Sequence, residues 1–247
     1  MSPSRFLIPL CLVLAACGNE TPVAETPVSE KPVAAVAMPD TYGVQVATAI
    51  LENGGNAVDA SIAAAFSLAV TKPDAGNIGG GGFMLVFLDG AANFIDYRET
   101  APRLAHRDMY LDENGDPVKN ASLIGHRAAG IPGTVAGMWL AHERYGTIPC
   151  PDLLAPAIAL ARDGFVVHPL QEEELQEKLE FFSDKVNFAD HFGAMRAGET
   201  FRQPELAKTL ERIAALGPDD FYRGETARLL VAEMERGGGL ITMEDLD

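Results

Sequence analysis

The stretch Lys72-Pro73-Asp74-Ala75-Gly76-Asn77-Ile78-Gly79-Gly80-Gly81-Gly82-Phe83-Met84-Leu85-Val86-Phe87-Leu88 decides how this chain is read. Four consecutive glycines run straight into six apolar residues. Glycine lets a backbone approach another backbone or a ligand closely, at an entropic cost. The apolar run is short and bounded by turn signals, which predicts a buried core strand. Asp89-Gly90 follows, then Asn93-Phe94-Ile95-Asp96-Tyr97, and the pattern predicts a hairpin that returns the chain to Arg98. Arg98 then ends a core strand beside a glycine-lined floor, where its planar fork suits bidentate capture of a carboxylate. On residue types alone, a packing role for the glycines and a surface ion pair for Arg98 account for the same residues.

Composition narrows the field. The 247 residues, 47% apolar, are enough for a sizeable core in one or two domains. With 35 acidic against 19 basic residues the net charge is −16. Nucleic acid is excluded as a partner, because its phosphates call for a basic footprint.

Residues 1–16 read as a signal peptide rather than part of the fold. Arg5 supplies the positive start, and the apolar run over residues 6–16 is too short to span a membrane. It closes in Leu14-Ala15-Ala16-Cys17, which resembles a bacterial lipobox; an ordinary secretory signal is the plainer alternative. A lipidated Cys17 would make this an exported lipoprotein, anchored to a membrane and facing the periplasm. Gly18 after that cysteine points to the outer membrane. Residues 17–39 carry Pro22, Pro27, Pro32 and Pro39 among small residues and read as a tether. Cys11 belongs to the signal, so Cys150 is left without a partner for a disulfide and is expected to pack.

The globular part is expected over residues 40–247. Val44, Ala47, Ile50 and Leu51 share a helical face that Gly54-Gly55 stops. Asn56 can cap a second helix carrying Val58, Ile62, Phe66 and Ala69, with Asp59 as a helix-dipole partner and nothing more. Pro132 is expected in the first turn of a helix through Trp139, and Asp152 is expected to cap another over 153–162. Further helices are read over 169–182, 204–216 and 225–236. Thr242-Met243-Glu244-Asp245 has the form of a capping box. Asp112-Glu113-Asn114-Gly115-Asp116-Pro117 is turn chemistry without the ligand spacing of a calcium loop, and the five histidines are scattered. No metal and no cofactor is expected. Gly79-Gly80-Gly81-Gly82 leads into a strand with no following Gly-Lys-Ser/Thr, so a Walker-type phosphate loop fits poorly.

Several stretches together resemble the γ-glutamyltransferase (glutathione hydrolase) family. They are Gly54-Gly55-Asn56-Ala57-Val58-Asp59-Ala60, Ala75-Gly76-Asn77-Ile78-Gly79-Gly80-Gly81-Gly82-Phe83-Met84 and Asp96-Tyr97-Arg98-Glu99-Thr100-Ala101-Pro102. Gly130-Ile131-Pro132-Gly133-Thr134-Val135-Ala136-Gly137, Leu160-Ala161-Arg162-Asp163-Gly164-Phe165, Gly217-Pro218-Asp219-Asp220-Phe221-Tyr222 and Gly238-Gly239-Leu240-Ile241-Thr242-Met243-Glu244-Asp245-Leu246 continue it in order. The resemblance implies an α+β fold, an αββα sandwich of the N-terminal-nucleophile hydrolase type, of which residues 40–247 are an incomplete part within the large subunit. It implies a precursor that cuts itself, with a small subunit whose first residue, a threonine, attacks the γ-glutamyl amide using its own amine as base. A backbone oxyanion hole would stabilise the tetrahedral states. Glutathione and other γ-glutamyl compounds would be donors, and water, an amino acid or a peptide the acceptor.

The same resemblance implies that Arg98 grips the substrate α-carboxylate and that the nucleophilic threonine lies beyond Asp247. Residues 1–247 are then expected to be a catalytically silent fragment. Thr134, Thr147, Thr200 and Thr242 lack the family's cleavage-site context. Two alternatives stand beside this reading: a sibling acylase for glutaryl-cephalosporins or poly-γ-glutamate, and a non-catalytic binding lipoprotein.

Overall fold

The computed structural model describes residues 34–183 and 187–247; the stretch read as a signal peptide, Cys11, Cys17 and the part of the expected tether through residue 33 lie outside the described residues. The two helices expected ahead of the glycine run are α1 (Thr41–Glu52) and α2 (Ala57–Thr71). Asp40 caps α1 by accepting from the Gly43 amide at 2.6 Å, and the same oxygen accepts from the Thr71 hydroxyl at 3.0 Å. One carboxylate thus ties the start of α1 to the end of α2. Gly54 relieves the turn between the helices at φ +92°.

Helix α2 is buried on several sides, as its continuous small and apolar sequence requires. Ala60 and Ala64 meet Ala47 of α1, with Val36 and Met38, two residues within the stretch read as tether, packed alongside. Ile62, Phe66 and Val70 face the main core. That core is completed by α3 (Thr134–Tyr145), α4 (Cys150–Asp163) and later helices.

The expected hairpin is present as β1 (Phe83–Leu88) and β2 (Ala91–Asp96), with Leu88 opposite Ala91 and Phe83 opposite Asp96. Asp89 at φ 51° and Gly90 at φ 79° make a two-residue turn with both central residues left-handed, the geometry that matches strand twist. The expectation of a fully buried strand is corrected. Val86 and Ile95 point into the core, whereas Leu85 and Phe87 are 72% and 73% exposed, with Phe83 and Phe94 exposed on the same face. The sequence shows an unbroken apolar run because both faces are apolar, but the described helices cover only one of them.

Two helix starts also differ from expectation. Helix α3 begins at Thr134, leaving Pro132 in the preceding loop, and α4 begins at Cys150, which puts Pro151 and Asp152 inside its first turn and leaves Asp152 no capping role. Proline needs no amide partner at that position, so the helix extends back to the buried cysteine. The remainder runs β3 (Phe165–Val166), α5 (Pro169–Phe182), α6 (Phe188–Phe192), β4 (Thr200–Phe201), α7 (Pro204–Leu216), α8 (Pro218–Arg223), α9 (Glu225–Gly237) and α10 (Met243–Leu246). β3 and β4 form a second two-stranded antiparallel pair. Leu210, Ile213 and Phe221 join the main core, and Ala227, Ile241 and Leu246 form a smaller one beneath α9 and α10. The described residues are α+β, helix-rich with two small antiparallel sheets. None of their helices is long and apolar enough to cross a membrane.

Candidate substrate-binding site

Arg98 lies immediately after β2, on a segment held between two glycine-rich stretches. On one side, Gly82 and Tyr97 exchange backbone hydrogen bonds of 3.0 and 3.3 Å, extending the hairpin by one pair. A side chain at Gly81 would put its Cβ 2.5 Å from the Tyr97 carbonyl and 2.7 Å from the Glu99 amide. On the other side, a Cβ at Gly133 would collide with the Tyr97 carbonyl, and one at Gly137 with the Tyr97 ring. Thr100 accepts from the Ile131 amide at 2.8 Å, and Asp96 accepts from the Arg98 amide at 3.0 Å. The glycines are absent-side-chain contacts, and their effect is to fix the backbone of Arg98.

The guanidinium itself is left available. Arg98 is exposed, and among the described residues its side chain makes no hydrogen bond or ion pair. In contrast, Arg103, Arg162, Arg212, Arg223, Arg228 and Arg236 all pair with carboxylates. The ion-pair account of Arg98 therefore finds no partner for it. A rigid backbone with an uncommitted fork is what capture of a free carboxylate requires.

The start of α3 contributes to this bracing. Its N-cap is Gly133, which brings no side-chain acceptor. The Gly80 carbonyl accepts from the Gly133 and Thr134 amides at 2.7 and 3.0 Å, joining the helix to the four-glycine run. The hydroxyl of Tyr222, on α8, accepts from the Ala136 amide at 3.1 Å and donates to the Pro132 carbonyl at 3.0 Å. Burial pushes the Tyr222 phenol up, opposed by the Ala136 amide. The family resemblance, not residue types alone, pointed to Arg98; Tyr97 and Tyr222 were missed, because their partners are backbone atoms that no local pattern encodes.

Other polar side chains have structural employment. Asp59 is wholly inaccessible and completes a capping box with Asn56, while also accepting from the Thr147 amide at 2.9 Å. Its assignment as a dipole partner alone was too small. The Thr147 hydroxyl is spent on Asp59, and that of Thr242 donates to Asp245 at 2.8 Å inside the expected capping box. Cys150 is buried in the main core, and burial pushes its thiol up to about 12. No group of three His, Cys, Asp or Glu side chains suited to a metal occurs among the described residues. An apolar cleft lined by Pro73, Leu175, Phe182, Phe188 and Met195 is not lined by Arg98.

Residues 43–247 match the family model described as gamma-glutamyltranspeptidase. The chain belongs to the gamma-glutamyltranspeptidase family. It is 58% identical over 212 residues to the glutathione hydrolase proenzyme of Pseudomonas aeruginosa, a match covering 86% of this chain and 38% of that protein. The solved gamma-glutamyltranspeptidase from Pseudomonas nitroreducens, complexed with L-DON, superposes with a TM-score of 0.85 at 58% identity, over 86% of this chain and 64% of that one. A cephalosporin acylase from Bacillus halodurans is more distant, with a TM-score of 0.75 at 26% identity over 91% of this chain and 45% of that one. The chain thus spans well under half the length of the curated gamma-glutamyltranspeptidase relative it matches. These likenesses agree with the expected family and with its α+β fold.

Proposed function

We propose that these residues are part of the large subunit of a γ-glutamyltransferase / glutathione hydrolase precursor, and that Arg98 holds the α-carboxylate of the γ-glutamyl donor. The observation that carries this is the braced, exposed and unpaired Arg98 in a chain that belongs to the gamma-glutamyltranspeptidase family. The high identity to a glutathione hydrolase proenzyme favours glutathione and related γ-glutamyl compounds over the acyl substrates of more distant relatives.

In this reading the threonine at the start of the small subunit attacks the γ-glutamyl amide, forms an acyl-enzyme and yields the γ-glutamyl group to water, an amino acid or a peptide. Arg98 contributes positioning. Two parallel charge-assisted hydrogen bonds to the α-carboxylate fix the donor's orientation, which a lysine's point charge would do poorly. The exposed apolar face formed by Phe83, Leu85, Phe87 and Phe94 is where the small subunit of the same precursor would pack.

Steady-state kinetics of the full-length, self-cleaved enzyme test the assignment. Arg98→Ala is expected to raise KM for the γ-glutamyl donor at least about thirtyfold, with self-cleavage intact and Arg98→Lys recovering only part of the loss. An unchanged KM in Arg98→Ala would sink it. Lipidation at Cys17, export to the periplasm and anchoring at the outer membrane belong to the same proposal, supported by the lipobox-like Leu14-Ala15-Ala16-Cys17. Cys17→Ala should then move the protein from the membrane fraction to the soluble one, and unchanged membrane association would count against the anchor.

A further inference from the structure

We propose that Tyr222 is a positioning residue for Arg98, acting through the first turn of α3; this rests on the reading of Arg98 as the carboxylate-binding residue. The argument begins at Gly133. That position must be glycine because a Cβ there would strike the Tyr97 carbonyl, one residue before Arg98. A glycine N-cap leaves the first amides of a helix without the side-chain acceptor that serine, threonine, asparagine or aspartate provides. Here the acceptors come from elsewhere in the chain. The Gly80 carbonyl takes the Gly133 and Thr134 amides, and the Tyr222 hydroxyl takes that of Ala136.

The same hydroxyl donates to Pro132, so its two bonds bracket Gly133 from either side. Donating and accepting together require the neutral phenol, which burial of the Tyr222 ring favours. Tyr222 lies 86 residues from Ala136 and 90 from Pro132, and neither hydrogen bond reaches Arg98 itself. Its effect on substrate is therefore indirect: it sets where the helix start stands, Gly133 sets the Tyr97 carbonyl, and that sets the arginine. A fork that must meet a carboxylate with two parallel bonds is sensitive to displacements of a few tenths of an ångström.

The test uses the full-length, self-cleaved enzyme with Arg98→Ala, Tyr222→Phe and the double variant, assayed on a γ-glutamyl donor. Tyr222→Phe removes one oxygen and keeps the packed ring, and self-cleavage together with the thermal midpoint reports that the fold survives. The expected result is a KM raised about fivefold by Tyr222→Phe with kcat nearly unchanged, and no further rise when the substitution is added to Arg98→Ala. A lowered thermal midpoint with KM unchanged, or the same KM increase in both backgrounds, would overturn the positioning role while leaving the arginine reading intact. An unchanged KM in Arg98→Ala would remove the arginine reading and the positioning role with it.

Discussion

The Thr147 hydroxyl donates to the Asp59 carboxylate across 2.5 Å, joining the loop after α3 to a helix cap 88 residues earlier. The same carboxylate accepts from the amides of Asn56, Thr147 and Ile148. Asn56 in turn donates from its side chain to the Tyr145 carbonyl at 2.6 Å, so the α2 cap and the α3 exit are locked to each other. Removing the carboxylate by Asp59→Ala leaves several part-buried donors unpaired and should cost roughly 1–3 kcal/mol, read by chemical denaturation.

The same site should show a pH signature. Burial pushes the Asp59 carboxyl up, but the Thr147 hydroxyl and the three amides outweigh it, and its pKa lies below the ordinary carboxylate value. A folded pKa below the unfolded one means that the stabilisation is fully present above the ordinary value and is lost as pH falls through the lowered one. The stability gap between the native protein and Asp59→Asn should therefore narrow with acidification. A gap that is constant with pH would mean that Asp59 acts only by shape.

The glycines of the central run and of the α3 start should not be equivalent. Gly133→Ala drives a methyl group into the Tyr97 carbonyl, and neither partner is a flexible side-chain end. The expected cost is about 1–3 kcal/mol, together with a raised donor KM as the Arg98 segment shifts. Gly79→Ala meets no atom within 4 Å and should change stability by less than about 0.5 kcal/mol. Thermal melts of the two variants side by side check the contrast.

Glu233 offers an acid-side prediction at the protein surface. Hydrogen bonds from Arg236 and then His126 hold its carboxyl down at about 2. The His126 ring nests against Gly237, where a side chain would collide with it. The pair's stabilisation is present above the ordinary glutamate range and fades as pH drops toward 2. Glu233 is 39% exposed, so solvent screening limits the effect of Glu233→Gln to at most about 1 kcal/mol, and added salt should shrink it further.

Cys150 should behave as a core residue. A thiol with its pKa pushed up to about 12 carries almost no thiolate near neutrality. Alkylation followed by peptide mapping should leave Cys150 unmodified in the native protein and modify it fully in denaturant. Ready native labelling would contradict its burial.

Much of the local architecture was legible in the chain, because its causes are local. Asn56 and Thr242 announce helix starts through side chains that bond their own neighbours, Asp89-Gly90 announces a two-residue turn through its tolerance of positive φ, and apolar spacing announces α1 and α2. The family, too, could be read from motif order, and the expectation for Arg98 came from the same motifs.

What the tertiary structure alone decided depends on partners far away in sequence. The apolar run of β1 could not say which of its faces is covered, since coverage is supplied by other elements and is received by Val86 and, in part, Met84, with Ile95 beside them on β2. Asp59 looked like a dipole partner until folding brought Thr147 to it, and the bonds of the Tyr222 hydroxyl to the start of α3 exist only in the folded chain. The glycines around Arg98 show the division most plainly. Their number is in the sequence, but the reason for Gly81 and Gly133 is a backbone atom of the Tyr97–Glu99 segment and for Gly82 and Gly137 the Tyr97 ring, and that meeting exists only once the chain has folded.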